Sequence, residues 1–345
     1  NSFSDGIGSV EWKMLNSDDH IPMLNKALQG LYPPGSTVKP AAALAMLHHG
    51  IDPEETVVCG GGYRLGNRVF KCLGRHGPIN MADALMKSCN TYFYAMGRRI
   101  GYDAIAPFSK ALGLGQEFPL PFPSQRYGTI PDSAWKMRKY DQKWSESDTL
   151  NATIGQGYVS VSPFQLAMMA ARIASGLNIQ PEIILKKRPD PSRLSFPEEH
   201  LAIVREGMNR VVNGDGTAVR SRLDIPGIAM AGKTGTAQVR RISGSQRGQS
   251  GAWKYRDHGL FVCFAPVDNP RYGASVVIEH GMGGARAAAP IAKDVLTFLY
   301  DREKAMASLE ALEAGWGGNI EQRMASKYAA FQGQPAAPPP LDPTI

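Results

Sequence analysis

The sequence predicts an α/β (α+β) protein in which helices cover a sheet, and two features carry this prediction. Three strand-like runs, rich in β-branched and other apolar residues, lie at residues 227–231, 259–265 and 272–279. Helical patterns come before and after these runs, an order that is typical of a sheet covered by helices. Hydrophobic residues make up 43% and charged residues 20% of the 345-residue chain, and this composition excludes wholesale disorder.

The first clear helix is predicted from Ser36 to about His49. Ser36 or Thr37 suits its N-cap, and Pro40 fits only the first turn because it has no backbone N–H. Gly50 then ends the helix. A short strand at 56–59 and an extended loop over 118–144 are also expected. The other helices are predicted at 81–99 with a break near 88–90, 102–112, 163–175, 198–212 and 290–300.

Composition excludes or disfavours several classes of protein. The longest apolar stretch has seven residues, 41–47, whereas a membrane-spanning helix needs roughly 18. Asn1 is not an initiator Met and no signal-like segment precedes it, so we expect a fragment cut from a longer chain. The net charge is +7, and residues 240–256 hold five cations and no acid, so a mobile, solvent-facing basic loop is expected there. The chain lacks the aromatic–basic pattern of nucleic-acid-binding modules and any nucleotide-binding loop.

Ser36-Thr37-Val38-Lys39 places a hydroxyl and an amine one turn apart at a helix start. Residues three apart share a helix face, so the Lys39 amine can reach the Ser36 hydroxyl and take its proton. This requires an amine that is neutral part of the time, and burial, the helix N-terminus or a second cation would each lower its pKa. The motif alone is weak evidence, because a serine cap followed by a surface lysine is common.

Two further motifs carry polar groups suited to the same chemistry. Ser88-Cys89-Asn90 presents a hydroxyl that could relay a proton and an amide that could hold a substrate amide. Lys233-Thr234-Gly235-Thr236 follows an apolar run and offers one positive charge and two hydroxyls to a carboxylate. Its glycine has no side chain, so a substrate backbone is expected to approach the strand there.

The order and spacing of the three motifs are more specific than any one of them. The S-x-N motif begins 52 residues after Ser36, and K-T-G begins 145 residues further on. This order matches the penicillin-recognising serine acyltransferases. Longer stretches at 5–7, 29–40, 154–163 and 258–261 resemble the class B penicillin-binding proteins, and above all their elongation-specific subgroup.

The resemblance implies a fold in which a central antiparallel sheet, covered by helices on both faces, lies beside a mainly helical subdomain. We accordingly expect one transpeptidase domain over residues 1–330. Its strands are expected mainly in 1–30 and 225–300, with the helical subdomain at about 50–220. Residues 331–345 are expected to be a disordered tail, because prolines recur at 335 and 338–340.

The resemblance also implies a role for each motif. The first holds the acylated nucleophile and its general base, the second moves protons and binds the substrate amide, and the third binds the terminal carboxylate. Two backbone N–H groups form the oxyanion hole. The resemblance gives the first role to Ser36 as nucleophile and Lys39 as base, and the second to Ser88 and Asn90. It gives the third to Lys233, Thr234 and Thr236, and the oxyanion hole to the N–H groups of Ser36 and Thr236.

The implied substrate is the D-Ala-D-Ala end of a peptidoglycan stem peptide. Acylation of Ser36 expels the last D-Ala, and an amine from a neighbouring stem resolves the ester into a cross-link, whereas β-lactams acylate Ser36 and stay. No organic cofactor and no nucleic-acid partner are expected. The resemblance further implies a periplasmic domain of an inner-membrane-anchored protein, with the anchor and pedestal absent from this chain. A membrane SEDS-family glycosyltransferase is the expected partner of the full-length protein.

Two alternative functions use the same site. A β-lactamase or D,D-carboxypeptidase passes the acyl group to water, but no segment between the second and third motifs can be assigned to the deacylating Glu of class A β-lactamases. A penicillin-sensing domain is acylated without turnover. Intact Ser36, Lys39 and Lys233 argue against an inactive binding module but do not exclude a sensor.

Cys59, Cys72, His76 and Cys89 form a C-x12-C-x3-H-x12-C pattern. Cys-x3-His suits one tetrahedral metal, and Cys3His is a known ligand set for structural zinc. Zinc there would pin the glycine-rich segment 59–76 onto the active-site wall, because Cys89 is the middle residue of S-x-N. A Cys59–Cys72 disulfide and unpaired thiols, with His76 facing solvent, are the alternatives.

Three further residues are expected to be structural. Cys263 lies in an apolar strand-like run and is expected in the core. His258 and His280 flank the last two strand-like runs, where structural histidines are commoner than catalytic ones.

Overall fold

The computed structural model describes residues 3–4, 6–122, 124–184, 189–239 and 253–333, and the chain divides into two units. Residues 26–300 form the larger unit, which holds all three motifs. Residues 1–25 and 301–345 form the smaller unit. One domain over residues 1–330 was expected, whereas the structure separates both ends of this range from the rest.

Helices account for most of the regular structure in the described residues. Short 3-10 turns at Gly35–Val38, Val219–Ser221 and Trp253–Tyr255 and a π-helical turn at Gly284–Ala288 accompany the α-helices. The α-helices are α1 (Ser9–Asn16), α2 (Lys26–Gln29), α3 (Lys39–His48), α4 (Met81–Met86), α5 (Asn90–Ile100), α6 (Tyr102–Ala111), α7 (Ser133–Tyr140), α8 (Glu146–Thr153), α9 (Pro163–Ser175), α10 (Glu198–Asn213), α11 (Ala289–Tyr300), α12 (Arg302–Gly315) and α13 (Ile320–Gln332).

The strands form three antiparallel sheets in the described part of the chain. They are β1 (Val57–Cys59), β2 (Gly62–Leu65), β3 (Arg68–Lys71), β4 (Gly77–Ile79), β5 (Ala231–Ala237), β6 (His258–Ala265) and β7 (Tyr272–Ile278). β1 pairs with β4 and β2 with β3, while β5, β6 and β7 form the central sheet in that order. The strand predicted at 56–59 is therefore present. β1 contains two adjacent valines, whereas the equally short β2, β3 and β4 have no such β-branched run and were missed.

The central sheet separates two parts of the hydrophobic core. Side chains of β6 alternate between two faces, as strand geometry requires. Leu260 and Val262 join the core built with α9 and most of α10, whereas Phe261 and Cys263 join the core built with α11. The prediction of an antiparallel sheet covered by helices on both faces is confirmed, and Cys263 is fully buried in that core, as predicted.

Most predicted helices of the larger unit are present. The helical stretch at 81–99 is interrupted as predicted, since α4 ends at Met86 and α5 begins at Asn90. The prediction of an extended loop over 118–144 is wrong at α7, a short polar helix with little apolar periodicity that begins where the Asp132 side chain accepts a bond from Trp135 N. β5 begins at Ala231, so the run predicted as a strand at 227–231 lies mostly before it.

The smaller unit is helical in its described residues, which hold α1, α12 and α13. The expectation of strands in residues 1–30 is wrong, because residues 3–4 and 6–30 contain α1 and α2 and no strand. The half-buried Val10 and the buried Met14 are four residues apart, a helical spacing that was overlooked. Lys327 pairs with Asp18 within this unit and lowers the pKa of the Asp18 carboxyl.

No helix among the described residues combines the length and the apolar composition that a membrane span requires. The predicted tail begins inside α13, which ends at Gln332, so that boundary is wrong by two residues. Residues 334–345 of the tail and 240–252 of the predicted basic loop lie outside the described residues.

Candidate active site and cysteine cluster

The turn that carries Ser36 continues directly into α3. Residues Gly35–Val38 form a 3-10 turn, and Lys39, the first residue of α3, donates its backbone N–H to the Ser36 carbonyl. The predicted cap is wrong: Val38 occupies the N-cap without a side-chain bond, and Thr37 bonds back to the preceding loop. The hydroxyl of the half-buried Ser36 therefore does not cap α3.

Strand β5 packs directly against that turn because both backbones carry glycine. A Cβ on Gly235 would lie 2.7 Å from Thr37 Cγ2 and 2.9 Å from Pro34 O. Gly35 has φ +54°, and a Cβ on it would meet the backbone of Thr236. The missing side chain of Gly235 makes room for the 3-10 turn, and the approach of a substrate backbone to this strand stays a prediction.

Gly155 and Gln156 support the same place from a third segment. Gly35 N donates to Gly155 O at 2.9 Å, and Gln156 Nε2 donates to Thr236 O at 3.2 Å. A Cβ on Gly155, which has φ +70°, would lie 2.8 Å from Gly35 N. Residues 154–163 carry a family resemblance, but no local signal in them predicts that they join the turn to β5.

Lys39 is fully buried, and the second motif holds its ammonium group. Its Nζ donates to Asn90 Oδ1 at 2.7 Å and to Ser88 O at 2.8 Å, and lies 3.4 Å from Ser88 Oγ. Burial lowers the pKa of Lys39 to about 7, against the opposing effect of two nearby cysteines. Part of the amine is therefore neutral near pH 7, which meets the requirement for a general base.

Hydrogen bonds fix the second motif on both sides. Ser88 adopts a left-handed backbone with φ +56°, which places both its carbonyl and its hydroxyl near Lys39. Asn90 begins α5, and its backbone N–H donates to Cys72 Sγ at 3.1 Å while its Nδ2 donates to Lys71 O at 3.2 Å. The Asn90 amide is thus oriented at both ends, with its oxygen toward the general base.

The third motif places a second buried amine in the same region. Lys233 is fully buried, and its Nζ donates to Thr234 O at 3.2 Å. Burial, and then the positive charge of Lys39, hold the pKa of Lys233 well below its usual value. The hydroxyl of Thr234 lies 2.6 Å from that of Thr217, whereas Thr236 is exposed. No carboxylate of the described residues bonds to either amine.

The four metal-ligand candidates converge beside the second motif, with their ligand atoms all within 4.8 Å of one another. Cys72 Sγ lies 3.8 Å from Cys89 Sγ and 3.7 Å from His76 Nδ1. A tetrahedral zinc site, with Zn–S of about 2.3 Å and Zn–N of about 2.05 Å, separates two sulfurs by about 3.8 Å and a sulfur from a nitrogen by about 3.6 Å. Cys59 and the other cysteines are free thiols, which excludes the disulfide alternative in this structure.

The cluster already contains one readily ionised thiol. The hydrogen bond between Cys89 and Cys72 lowers the pKa of Cys72 to about 3 and raises the pKa of Cys89. A thiolate is the form in which cysteine binds a metal. His76 is half-buried and faces Cys72, so the alternative of a solvent-facing loop histidine does not fit.

His258 and His280 belong to a network that supports the chain just before Ser36. His280 N donates to His258 Nδ1 at 2.9 Å, and the ring of Tyr32 lies edge-on to His258 at 5.3 Å. Tyr32 OH in turn donates to Glu279 Oε1 at 2.8 Å. Burial lowers the pKa of His258 to about 4, so a neutral, structural histidine fits best. No local signal in the sequence predicts the pairing of Tyr32 with Glu279.

The three motifs meet at one place in the fold. The first contacts the second through Lys39 Nζ, and it contacts the third through the close approach of Thr37 to Gly235. A hydroxyl that caps no helix, an amine of lowered pKa one turn away and a strand with a buried cation form the arrangement of a serine acyl-transfer centre.

Comparison with protein-family models agrees with this class. Residues 6–297 match the model described as penicillin binding protein transpeptidase domain, and the chain belongs to that family. The peptidoglycan D,D-transpeptidase MrdA of Acinetobacter baumannii is 36% identical over 327 residues, which cover 88% of this chain and 48% of the relative. The chain spans about half the length of the curated relatives it matches.

Solved structures of penicillin-binding protein 2 are similar throughout most of the chain. The Pseudomonas aeruginosa protein in complex with WCK 5153 is 34% identical with a TM-score of 0.72, covering 85% of this chain and 64% of that one. The Helicobacter pylori protein in complex with MreC is 30% identical with a TM-score of 0.76, covering 86% of this chain and 54% of that one. The predicted resemblance to class B penicillin-binding proteins of the elongation subgroup is confirmed.

Proposed function

We propose that this chain is a D,D-transpeptidase domain that cross-links peptidoglycan stem peptides through an acyl-enzyme on Ser36. The observation that carries the proposal is the environment of Lys39, one turn after Ser36, where burial lowers the pKa of the amine to about 7. A base that is partly neutral near pH 7 and bonded to Ser88 and Asn90 suits the activation of a serine hydroxyl.

In the acylation step the Lys39 amine takes the proton of the Ser36 hydroxyl as Oγ attacks the carbonyl of the penultimate D-Ala. The backbone N–H groups of Ser36 and Thr236 stabilise the oxyanion. The C–N bond then breaks, and the proton passes from Lys39 through the Ser88 hydroxyl, 3.4 Å away, to the departing amine. Asn90 keeps its amide oxygen on Lys39 and so fixes the base between these two proton transfers.

Recognition of the terminal carboxylate falls to the third motif. Lys233 and Lys39 are both buried, and neither amine bonds to a carboxylate in the part of the chain that the structure describes. An incoming carboxylate supplies the missing negative charge and restores the protonated form of Lys233. The exposed Thr236 hydroxyl and the Thr234 hydroxyl at the strand supply neutral donors that fix its orientation.

Resolution of the acyl-enzyme decides between the proposed function and its alternatives. In transpeptidation the amine of a second stem peptide attacks the Ser36 ester, which forms the cross-link and returns the hydroxyl. Water in the same role gives a carboxypeptidase or a β-lactamase. An ester that persists in the presence of acceptor peptide marks a sensor.

The test uses a fluorescent penicillin followed over hours, together with D-Ala release and cross-link formation from donor and acceptor stem peptides. We expect a persistent label, D-Ala release and a cross-linked product. Ser36→Ala should abolish all three, whereas the matched control Ser192→Ala, at an exposed position, should retain them. Rapid loss of label, or D-Ala release without cross-linking, would assign the chain to the hydrolytic alternatives.

We also propose that Cys59, Cys72, His76 and Cys89 hold a structural zinc ion. The separations around Cys72, 3.8 Å and 3.7 Å, agree with tetrahedral coordination and support this assignment. A bound zinc ion would supply a cross-link between the β1–β4 region and the start of α5, and no chemical step. The residues themselves already join these parts, since Asn90 N donates to Cys72 Sγ.

Metal analysis by mass spectrometry on protein purified without chelator tests the zinc proposal. We expect close to one zinc per chain and a lower melting temperature after chelation. Cys72→Ser should lose the metal, whereas Cys263→Ser should keep it because that thiol is buried in the core away from the cluster. A stoichiometry near zero, or equal metal content in the two variants, would contradict the assignment.

The location and partners of the full-length protein are proposals by analogy. We place the domain in the periplasm, on a protein anchored in the inner membrane, with a SEDS-family glycosyltransferase as its membrane partner. Support comes from the Helicobacter pylori relative, which is solved in complex with MreC, a protein partner. Co-purification of the full-length protein with a tagged glycosyltransferase tests this, and its absence under conditions that preserve other membrane complexes would count against it.

A further inference from the structure

A polar cavity of about 380 Å³ lies apart from the three motifs, none of whose residues line it. It lies where the C-terminus of α6, the last turn of α9 and residues 178–180 and 193–195 come together. Its side chains include two guanidinium groups, three amides and one hydroxyl, with no acidic group among them. These polar residues are Arg172, Arg193, Gln116, Asn178, Gln180 and Ser195.

Arg172 is an unusual residue in this wall because its charge is buried without a carboxylate. Its side chain is 2% exposed, and burial lowers its pKa, with no carboxylate contributing in the other direction. The larger unit's undescribed residues, 123, 185–188 and 240–252, contain no Asp or Glu. A buried cation is normally paired with an anion, whereas Arg172 is stabilised within the described residues by carbonyl groups and by the ring of Phe118, whose centroid lies 5.6 Å from Cζ.

The hydrogen bonds of Arg172 leave part of its guanidinium available. Nη1 donates to Ala111 O at 2.9 Å, and Nη2 and Nε donate to Ile179 O at 3.0 and 3.3 Å. A guanidinium has five N–H groups, so one N–H on each of Nη1 and Nη2 has no protein acceptor among the described residues. Ala111 ends α6, and the partial negative charge at that helix terminus offsets only about half of one positive charge.

We propose that this cavity binds the phosphate group of a small phosphate ester. A dianionic phosphate balances Arg172 and Arg193 together, and its oxygens can accept two parallel bonds from the two spare N–H groups of Arg172. The amide side chains of Gln116, Asn178 and Gln180 remain for the rest of the ligand. The same chemistry is offered by a soluble phosphate ester and by an anionic phospholipid headgroup.

The test measures binding of inorganic phosphate and of glycerol 3-phosphate by calorimetry and thermal shift at constant ionic strength, with chloride as the balancing anion. We expect both phosphates to raise the melting temperature. Arg193→Gln, at an exposed position, should weaken affinity at least fivefold. Arg220→Gln, equally exposed and outside the cavity, is the matched control and should bind as the unmodified chain does. Equal affinity in both variants, or no binding by the unmodified chain, overturns the proposal.

Further readouts separate a binding role from a structural one. Arg172→Lys keeps the positive charge but loses the paired N–H groups of the guanidinium, so it should weaken phosphate binding. If this variant fails to fold, the affinity of Arg193→Gln for phosphate is the deciding measurement. Labelling by fluorescent penicillin should be unchanged in Arg193→Gln, since none of the catalytic residues lines the cavity. Sedimentation with phosphatidic-acid vesicles, with phosphatidylcholine vesicles as the control, distinguishes a lipid headgroup from a soluble ester. Binding to phosphatidic-acid vesicles that is lost in Arg193→Gln assigns a lipid headgroup. Binding of phosphate without binding to vesicles assigns a soluble ester.

Discussion

Replacing Asn90 by Asp should shift the pH at which Ser36 becomes reactive. The change puts a carboxylate where Lys39 Nζ now bonds to an amide oxygen at 2.7 Å. Lys39 owes its pKa of about 7 mainly to burial, and an anion at such a distance raises the pKa of an amine by roughly 1–3 units. At pH 7 the neutral fraction then falls from about one half to about 9% or less. Acylation at pH 7 should therefore slow at least about fivefold and recover at alkaline pH.

The assay is the second-order rate constant for acylation by a fluorescent penicillin between pH 5 and pH 10. The unmodified chain should gain about tenfold per pH unit up to pH 7 and then level off, because the base is deprotonated above its pKa. Asn90→Asp should level off at least one unit higher, whereas the matched control Asn67→Asp, on an exposed hairpin turn, should not shift. An unshifted profile in Asn90→Asp, or a rate that climbs without a plateau to pH 9, would refute Lys39 as the base.

Two stability predictions follow from close contacts. Gly235→Ala places a Cβ 2.7 Å from Thr37 Cγ2, so it should lower the free energy of unfolding by about 1–3 kcal/mol and slow the labelling of Ser36. The control Gly60→Ala, whose Cβ meets open space, should do neither. Equal effects of the two variants in urea denaturation would contradict the close contact between β5 and the 3-10 turn. Lys136→Gln breaks a pair with Asp148 at 2.7 Å in which Lys136 is only 6% exposed, so we expect a loss of about 3–5 kcal/mol at pH 7. Burial raises the pKa of Asp148, but hydrogen bonds from Lys136 and Ser145 lower it by more, so the pKa lies below its usual value. The ionised Asp148 therefore stabilises the fold above about pH 4, and this stabilisation is lost in more acidic solution. The difference between the unmodified chain and Lys136→Gln should shrink at pH 3, and a constant difference would count against the pair.

Local signals in the sequence were enough for helices with long apolar patterns and clear caps. α9 matches its prediction in full because Ser162 caps it, Pro163 starts it and Gly176 ends it in a left-handed conformation. Pro40 lies in the first turn of α3 for the same local reason, its missing N–H. α7 has no such apolar stripe, and only its cap at Asp132 marked it.

The site shows where sequence reasoning reaches its limit. Chemistry-bearing side chains come in short motifs, and their identity and spacing were readable before the fold was known. Contacts between distant segments were not: Tyr32 and Glu279 are 247 residues apart, and nothing local links them. The sequence indicated that a side chain at position 235 would obstruct another group. Only the packing of β5 on the 3-10 turn shows that Thr37 Cγ2 and Pro34 O occupy that space.

The two buried amines at the site have conflicting requirements, and the structure indicates how both are met. Lys39 works as a base only when neutral, whereas Lys233 attracts a carboxylate only when protonated. Burial lowers both pKa values, and the charge on Lys39 lowers that of Lys233 further, so the pair resists carrying two protons at once. A carboxylate bound at Lys233 reverses this preference there and leaves Lys39 as the amine that gives up its proton. On the roles proposed above, anion binding at β5 would do more than hold the peptide, because it would assign the proton to Lys233 and leave Lys39 neutral as the base for Ser36.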